Sequence, residues 1–297
     1  EISEWEINYT ELLWSLEMLA WDENYLNRVT QLLLRFSDYK NESNYGNRPI
    51  NSLYNIFRFY LSQTYASFVD RMVVLKTLSP KNKNASFILC KRICESLIAH
   101  TLEYNSHFKW RLFGKLKFSL TEKMVTVEEL NVVVDLMLQS CDYSAENISD
   151  LISLSSNSYM SCCRSLMIDR IREHIDDLRG NQIVVDALRN DITHHKQCEG
   201  ARWALTEEEL IPYQDLMNEL EPKDVLHKHA WLFEDWCVQL PYNRRQYDTR
   251  KLHELQDELR LNSLKEVVEE RGEAEQDGQR EGDEHHGIDD ARNEQDL

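Results

Sequence analysis

Two histidines and a cysteine in one short stretch have the chemistry of a metal site. His227 and His229 stand two apart, and Cys237 follows after Glu234 and Asp235. Neutral imidazoles and a thiolate are zinc ligands, and a catalytic zinc keeps one position open for water. Glu234 would then act as base, with Asp235 in the surrounding carboxylate shell. This set defines a metal-dependent hydrolase as one reading. The competing reading rests on the neighbours Trp231, Leu232, Phe233 and Trp236, which are suited to anchor an irregular segment by packing.

Three other groups carry reactive side chains. Cys90 and Cys94 are four apart, which puts both thiols on one face of a helix. No second Cys or His pair follows at closed-site spacing, so they read as small core hydrophobes. His194, His195 and Cys198 cluster near an expected helix end, where protonated imidazoles would favour the C-terminal dipole. Cys162 and Cys163 are adjacent and read as half-buried thiols on a long helix. Seven cysteines without framework spacing suggest a reducing compartment, hence a cytoplasmic location. On that basis the Asn-x-Ser/Thr sites at Asn8, Asn41, Asn84 and Asn147 read as chance.

Several chemistries lack their motif. The chain has no G-x-x-x-x-G-K-[ST], G-x-G-x-x-G, G-x-S-x-G or H-E-x-x-H string. With 8 glycines in 297 residues, four of them after residue 270, little backbone is free to wrap a phosphate. We therefore expect no catalytic residues, no cofactor and no resident metal, and read the chain as a non-enzyme.

These residues must be positioned by helices. Apolar spacing follows the 3.6-residue period almost throughout, and no proline occurs between Pro80 and Pro212. Leu12, Leu13, Leu16 and Leu19 make one stripe, and Tyr25, Leu26, Val29, Leu32, Leu33 and Phe36 a second. Ala20-Trp21-Asp22 is the corner between them, with Trp14 and Trp21 supplying buried area. Pro49 suits a first helical position, and Asn51 and Ser52 would satisfy first-turn amides. Thr64 is expected to cap the next helix, and Asn84 to begin another. Thr126-Val-Glu-Glu129 and Thr206-Glu-Glu-Glu209 are capping boxes. A long helix is expected over 158–179, ended by Gly180 as its left-handed C′ residue, and a last one from Thr249 to about Glu270.

Charge divides the chain unevenly. The formal net charge is −18, and half of it falls after residue 268, where 12 acidic residues face three basic ones. With Gly272, Gly278, Gly282 and Gly287 interrupting and few apolar residues, 269–297 reads as a disordered acidic tail. The acidic balance repels phosphate backbones and argues against nucleic-acid partners. No uncharged apolar run approaches about 18 residues, so no membrane span is expected. A first residue of Glu, with no leader pattern, reads as a piece of a longer chain.

Three strings resemble a known architecture. They are Leu16-Glu-Met-Leu-Ala-Trp21 with Tyr25-Leu26 and Val29, then Asn47-Arg-Pro-Ile-Asn-Ser-Leu53 with Ile56-Phe57 and Gln63-Thr64, and finally His229-Ala-Trp-Leu-Phe233 with Leu240-Pro241. Together they resemble the helical C-terminal region of large bacterial STAND-like NTPases of the antiphage defence type. The resemblance spans about 11–75 and 225–270. It implies a helical sensor or scaffold lying after an effector and an NTPase domain, and it carries over no nucleotide site.

The expected fold is all-α, an irregular α-solenoid-like array of helical hairpins. It divides into N-terminal hairpins over 1–100, an irregular connector over 101–125, a second helical array over 126–268 and the acidic tail. The expected function is a non-catalytic sensor or scaffold region that binds protein partners, with Trp5, Trp110, Trp203 and Tyr242 as candidate surface anchors. The hydrolase built on His227, His229 and Cys237 remains the alternative. A structural arm that makes a homo-oligomer of a parent protein is the third reading.

Overall fold

The computed structural model describes residues 3–37, 47–60, 62–97, 125–236, 238–242 and 249–293, with side chains from Thr10 to Arg271. The expected connector over 101–125 therefore falls almost wholly outside the described residues. Those residues form fourteen α-helices and no strand, so the chain is all-α. Two compact units divide between His174 and Ile175. No described helix is long and apolar enough to cross a membrane.

The first unit holds α1 (Ser3–Ala20), α2 (Glu23–Ser37), α3 (Pro49–Phe57), α4 (Phe68–Leu78), α5 (Lys83–Glu95), α6 (Val127–Ser140), α7 (Ala145–Ser155) and α8 (Arg164–Arg172). Helices α1 and α2 form a hairpin, α3 and α4 pack on α2, and α5 pairs with α6. At the hairpin corner the amide of Tyr25 donates to the Asp22 carbonyl, and the Asp22 carboxylate accepts from Asn24 N at 3.0 Å. Trp21 is buried at 3%, whereas Trp14 is 55% exposed, contrary to expectation, and Leu12 and Tyr25 of the two expected stripes are exposed as well. One face of α1 suffices for the core, and Trp14 lies off it.

The first two strings named above fold against each other as a single junction. The Tyr65 amide donates to the Trp21 carbonyl, and the Gln63 amide to that of Asn55. The rings of Trp21 and Tyr65 meet edge to face, 5.2 Å apart. Asn51 and Ser52 reach tertiary partners from the first turn of α3. Ser52 Oγ donates to Glu17 Oε1 at 2.6 Å, and Asn51 Oδ1 accepts from Arg92 at 2.6 Å. Tertiary partners compete better here because Pro49 at N1 already removes one orphan amide. Burial pushes the Glu17 carboxyl above its ordinary value, against the lowering effect of Ser52. Arg71, 4% exposed, reaches from α4 to the end of α3 and donates to the carbonyls of Arg58 and Ile56 at 2.7 and 3.3 Å.

Local capping follows the expected chemistry with one shift. Thr126 and Thr206 both make reciprocal capping boxes, with Glu129 and Glu209 respectively. Ser67, not Thr64, caps α4 by accepting from Asp70 N at 3.1 Å. Thr64 instead accepts from Ala66 N, turning the chain one step earlier. The expected helix over 158–179 is broken. A 3-10 turn over Ser158–Met160, a turn at 161–163, α8, and a further short helix α9 (Ile175–Leu178) replace it. Cys162 and Cys163 thus lie in a turn rather than on a helix. Cys90 and Cys94 are fully buried in α5, as their spacing suggested.

The second unit contains α9, then α10 (Gln182–Gln197), α11 (Glu207–Leu220), α12 (Val225–His229), α13 (Trp231–Glu234) and α14 (Thr249–Asn293). Helices α10 and α11 pair, and α14 packs on α12 and α13. Gly180 takes φ +72° as the expected left-handed residue, and its amide donates to the Leu220 carbonyl at 3.0 Å. Where a disordered tail was expected from residue 269, the backbone of α14 continues helical to Asn293. Glu and Arg make up nine of the residues from 269 to 293, and both are good helix formers.

His195 corrects a second expectation. Its ring is 4% exposed, and Nδ1 accepts from the Leu205 amide at 3.0 Å. A nitrogen that accepts carries no proton, so the ring is the neutral Nε2–H tautomer, not a cation on the helix dipole. His194 stacks on Trp203 with centroids 4.7 Å apart.

Candidate protein-docking surface

The aromatic stretch after His229 lies where α12, α13 and α14 meet. Asp224 caps α12, accepting from the His227 amide at 2.9 Å and from the His227 ring Nδ1. These two bonds hold the Asp224 carboxyl below its ordinary value. His229 turns the other way and places Nε2 2.9 Å from Glu266 of α14. The two histidines therefore meet different carboxylates, and Cys237 lies outside the described residues. Among the described residues, no three His, Cys, Asp or Glu side chains are grouped to hold a metal ion. His227, Asp224 and Glu234 do line one shallow cleft with Lys223 and Arg179.

The four expected anchors separate into two kinds. Leu232 is buried at 3%, and the Trp231 ring lies under the Arg189 guanidinium, 4.4 Å from centroid to carbon. Arg189 also pairs with Asp186 on its own helix. Burial lowers the Arg189 pKa, and Asp186 opposes that effect. These contacts fasten the segment to α10. Phe233 and Trp236 do not anchor it: they are 47% and 87% exposed.

Both exposed rings stand on a fixed backbone. Arg260 of α14 donates to the Leu232 carbonyl at 2.8 Å and to that of Asp235 at 2.7 Å. It also reaches the Trp236 carbonyl at 3.4 Å, and buried Gln256 donates to the same oxygen at 2.8 Å. Its guanidinium lies 5.9 Å from the Phe233 ring centre. An irregular segment ordinarily leaves its carbonyls to water. Here two side chains one helical turn apart take up three of them.

Arg260 and Gln256 were missed by sequence reasoning. Their signal was present: both fall on the inward stripe of α14 with Leu252, Leu259 and Ser263, where an apolar residue would be ordinary. A polar pair on such a stripe announces backbone to be satisfied. Of the other expected anchors, Trp203 is 41% exposed and Tyr242 half-buried, while the side chains of Trp5 and Trp110 lie outside the described residues.

The surroundings are acidic. Glu234 and Asp235 flank the rings, Asp257 and Glu258 are exposed on α14, and the acidic stretch from residue 269 continues that helix. Such a surface suits a partner with an apolar anchor set among basic residues. Comparison with other proteins adds no relative: no family model, no curated protein and no solved structure matches this chain.

Proposed function

We propose that the chain is a non-catalytic helical sensor or scaffold region of a larger NTPase-associated, cytoplasmic protein of the antiphage defence type, and that it binds a protein partner through Phe233 and Trp236. The observation that carries this reading is the 87% exposure of Trp236 on a backbone held by Arg260 and Gln256. A solvated indole contributes nothing to the fold. Buried by a partner, about 200 Å² of aromatic surface at roughly 25 cal/mol/Å² gives about 5 kcal/mol before ordering costs. That is the range of an interface hot spot. The STAND-like part of this reading rests on the resemblance of the three strings alone.

The test places a photoreactive amino acid at position 236 in the protein expressed in its own cell, with position 270 as control. One protein crosslinking at 236 and not at 270 is expected. Its affinity for a Phe233→Ala/Trp236→Ala variant should fall at least about thirtyfold, roughly 2 kcal/mol, with thermal unfolding unchanged. No crosslink above control, or an unchanged affinity, overturns the reading.

The structural-arm reading has one observation in its favour. Leu261, Leu264 and Val268 of α14 are 54%, 50% and 68% exposed at i, i+3, i+7 spacing. Sedimentation equilibrium across a concentration range separates self-association from partner binding.

A further inference from the structure

The turn between the 3-10 segment Ser158–Met160 and α8 carries two adjacent thiols whose sulfurs lie 3.6 Å apart. Adjacent side chains in a helix or strand diverge; this turn brings them together. Cys162 is exposed, while Cys163 is 1% exposed and occupies the N-cap of α8 at φ −110°, ψ −3°. Cys163 Sγ donates to Asn131 Oδ1 of α6 at 3.1 Å. One thiol of the pair is open to a soluble reagent and the other is held directly behind it.

We propose that Cys162 and Cys163 form a reversible oxidation site, in which a peroxide oxidises Cys162 and Cys163 resolves it to a vicinal disulfide. The peroxide transfers one oxygen to Cys162, giving a sulfenic acid and releasing water or an alcohol. Cys163 sulfur then attacks the Cys162 sulfur. The S–OH bond breaks, the S–S bond forms, and the hydroxyl leaves as water with the Cys163 proton. The peroxide is the oxidant for both electrons.

Two physical points assign the roles. Burial, together with the neighbouring Cys162, pushes the Cys163 thiol up to about 12, and Cys162 is the sulfur exposed to the oxidant. The small thiolate fraction of Cys163 is offset by proximity, which is worth many powers of ten in effective concentration. Reversibility follows from geometry. Adjacent α-carbons stand about 3.8 Å apart across a trans peptide, below the roughly 4.4–6.8 Å that disulfides span. The bond is therefore strained and yields readily to thiols. Forming it also draws Sγ from Asn131.

Cys94 is the competitor, because it is fully buried and feels Cys163 electrostatically. The full chain is treated with hydrogen peroxide, its free thiols are blocked, and peptides are mapped by mass spectrometry. The expected result is a 162–163 peptide lacking two hydrogens and unlabelled at both sulfurs, restored by dithiothreitol. In a Cys163→Ser variant, dimedone capture at Cys162 should rise several-fold. A Cys94–Cys163 crosslink, an intermolecular Cys162 dimer, or both thiols still free after treatment overturns the proposal.

Discussion

Replacing Arg71 by methionine sets two large terms against each other. The guanidinium donates to the carbonyls of Ile56 and Arg58 at the end of α3. Hydrogen bonds from a charged donor are worth roughly 1.5–3 kcal/mol each, so the pair contributes about 3–6 kcal/mol. Against this stands the charge itself. Burial holds the Arg71 pKa down from 12.5 to about 10, and at about 1.4 kcal/mol per tenfold change in proton affinity the charged form costs roughly 3 kcal/mol. Methionine fills much of the volume, removes that cost, and leaves two buried carbonyls without the donor. The bonds win by a narrow margin, so Arg71→Met should destabilise the first unit by up to about 3 kcal/mol. Arg71→Ala should lose more, because it adds an empty volume. Hydrogen exchange read by mass spectrometry over residues 50–78 is the assay, since it reports this unit separately from residues 175–293. Amides of α3 and α4 should open more often in Arg71→Met, by up to about 100-fold. Unchanged or increased protection would show that desolvation outweighs the bonds, and would refute the reasoning.

Glu17 gives the first unit a pH dependence of definite sign. Its folded pKa is raised, so its contribution is fully present below the unfolded value of about 4.5 and is lost as pH rises through the folded value. Glu17→Gln keeps an acceptor for Ser52 and mimics the protonated form. Its melting temperature should match the parent near pH 4 and exceed it by a growing margin toward pH 7; parallel profiles would sink this assignment. Gly180→Ala isolates a backbone effect, because a Cβ there meets no heavy atom within 4 Å and only the φ of +72° is strained. A loss of about 1–2 kcal/mol is expected by urea unfolding, and no loss would mean that the turn relaxes.

What the sequence disclosed was local. The Thr126 and Thr206 boxes and the Gly180 terminus are written within four or five residues, and each is found as expected. Thr64 and Ser67 are both competent caps three apart; the register of α4 against α2 and α6 chose between them. The break between Ser158 and Leu178 was hidden because its apolar period continues across the turn. The structural partner of that break is distant: Tyr143, at φ 55°, stacks on His174 with centroids 3.9 Å apart. His195 was misjudged for the same reason, since its partner amide at Leu205 arrives only when α10 and α11 pair. At the candidate docking surface the hydrophobicity of Trp236 pointed inward. In the structure its ring is 87% exposed, while Arg260 and Gln256 take up the carbonyls of its segment.

The grip of Arg260 and Gln256 also governs how a partner would arrive. A loop that must order itself on contact shows a lag, or an observed rate that levels off with concentration. The segment bearing Trp236 is already tied at three carbonyls, so encounter and docking collapse into one step. Binding traces should be single-exponential, with a rate rising linearly as partner is added. Cutting the tie at Arg260 would slow arrival, and leave the lifetime of the finished complex nearly as it was.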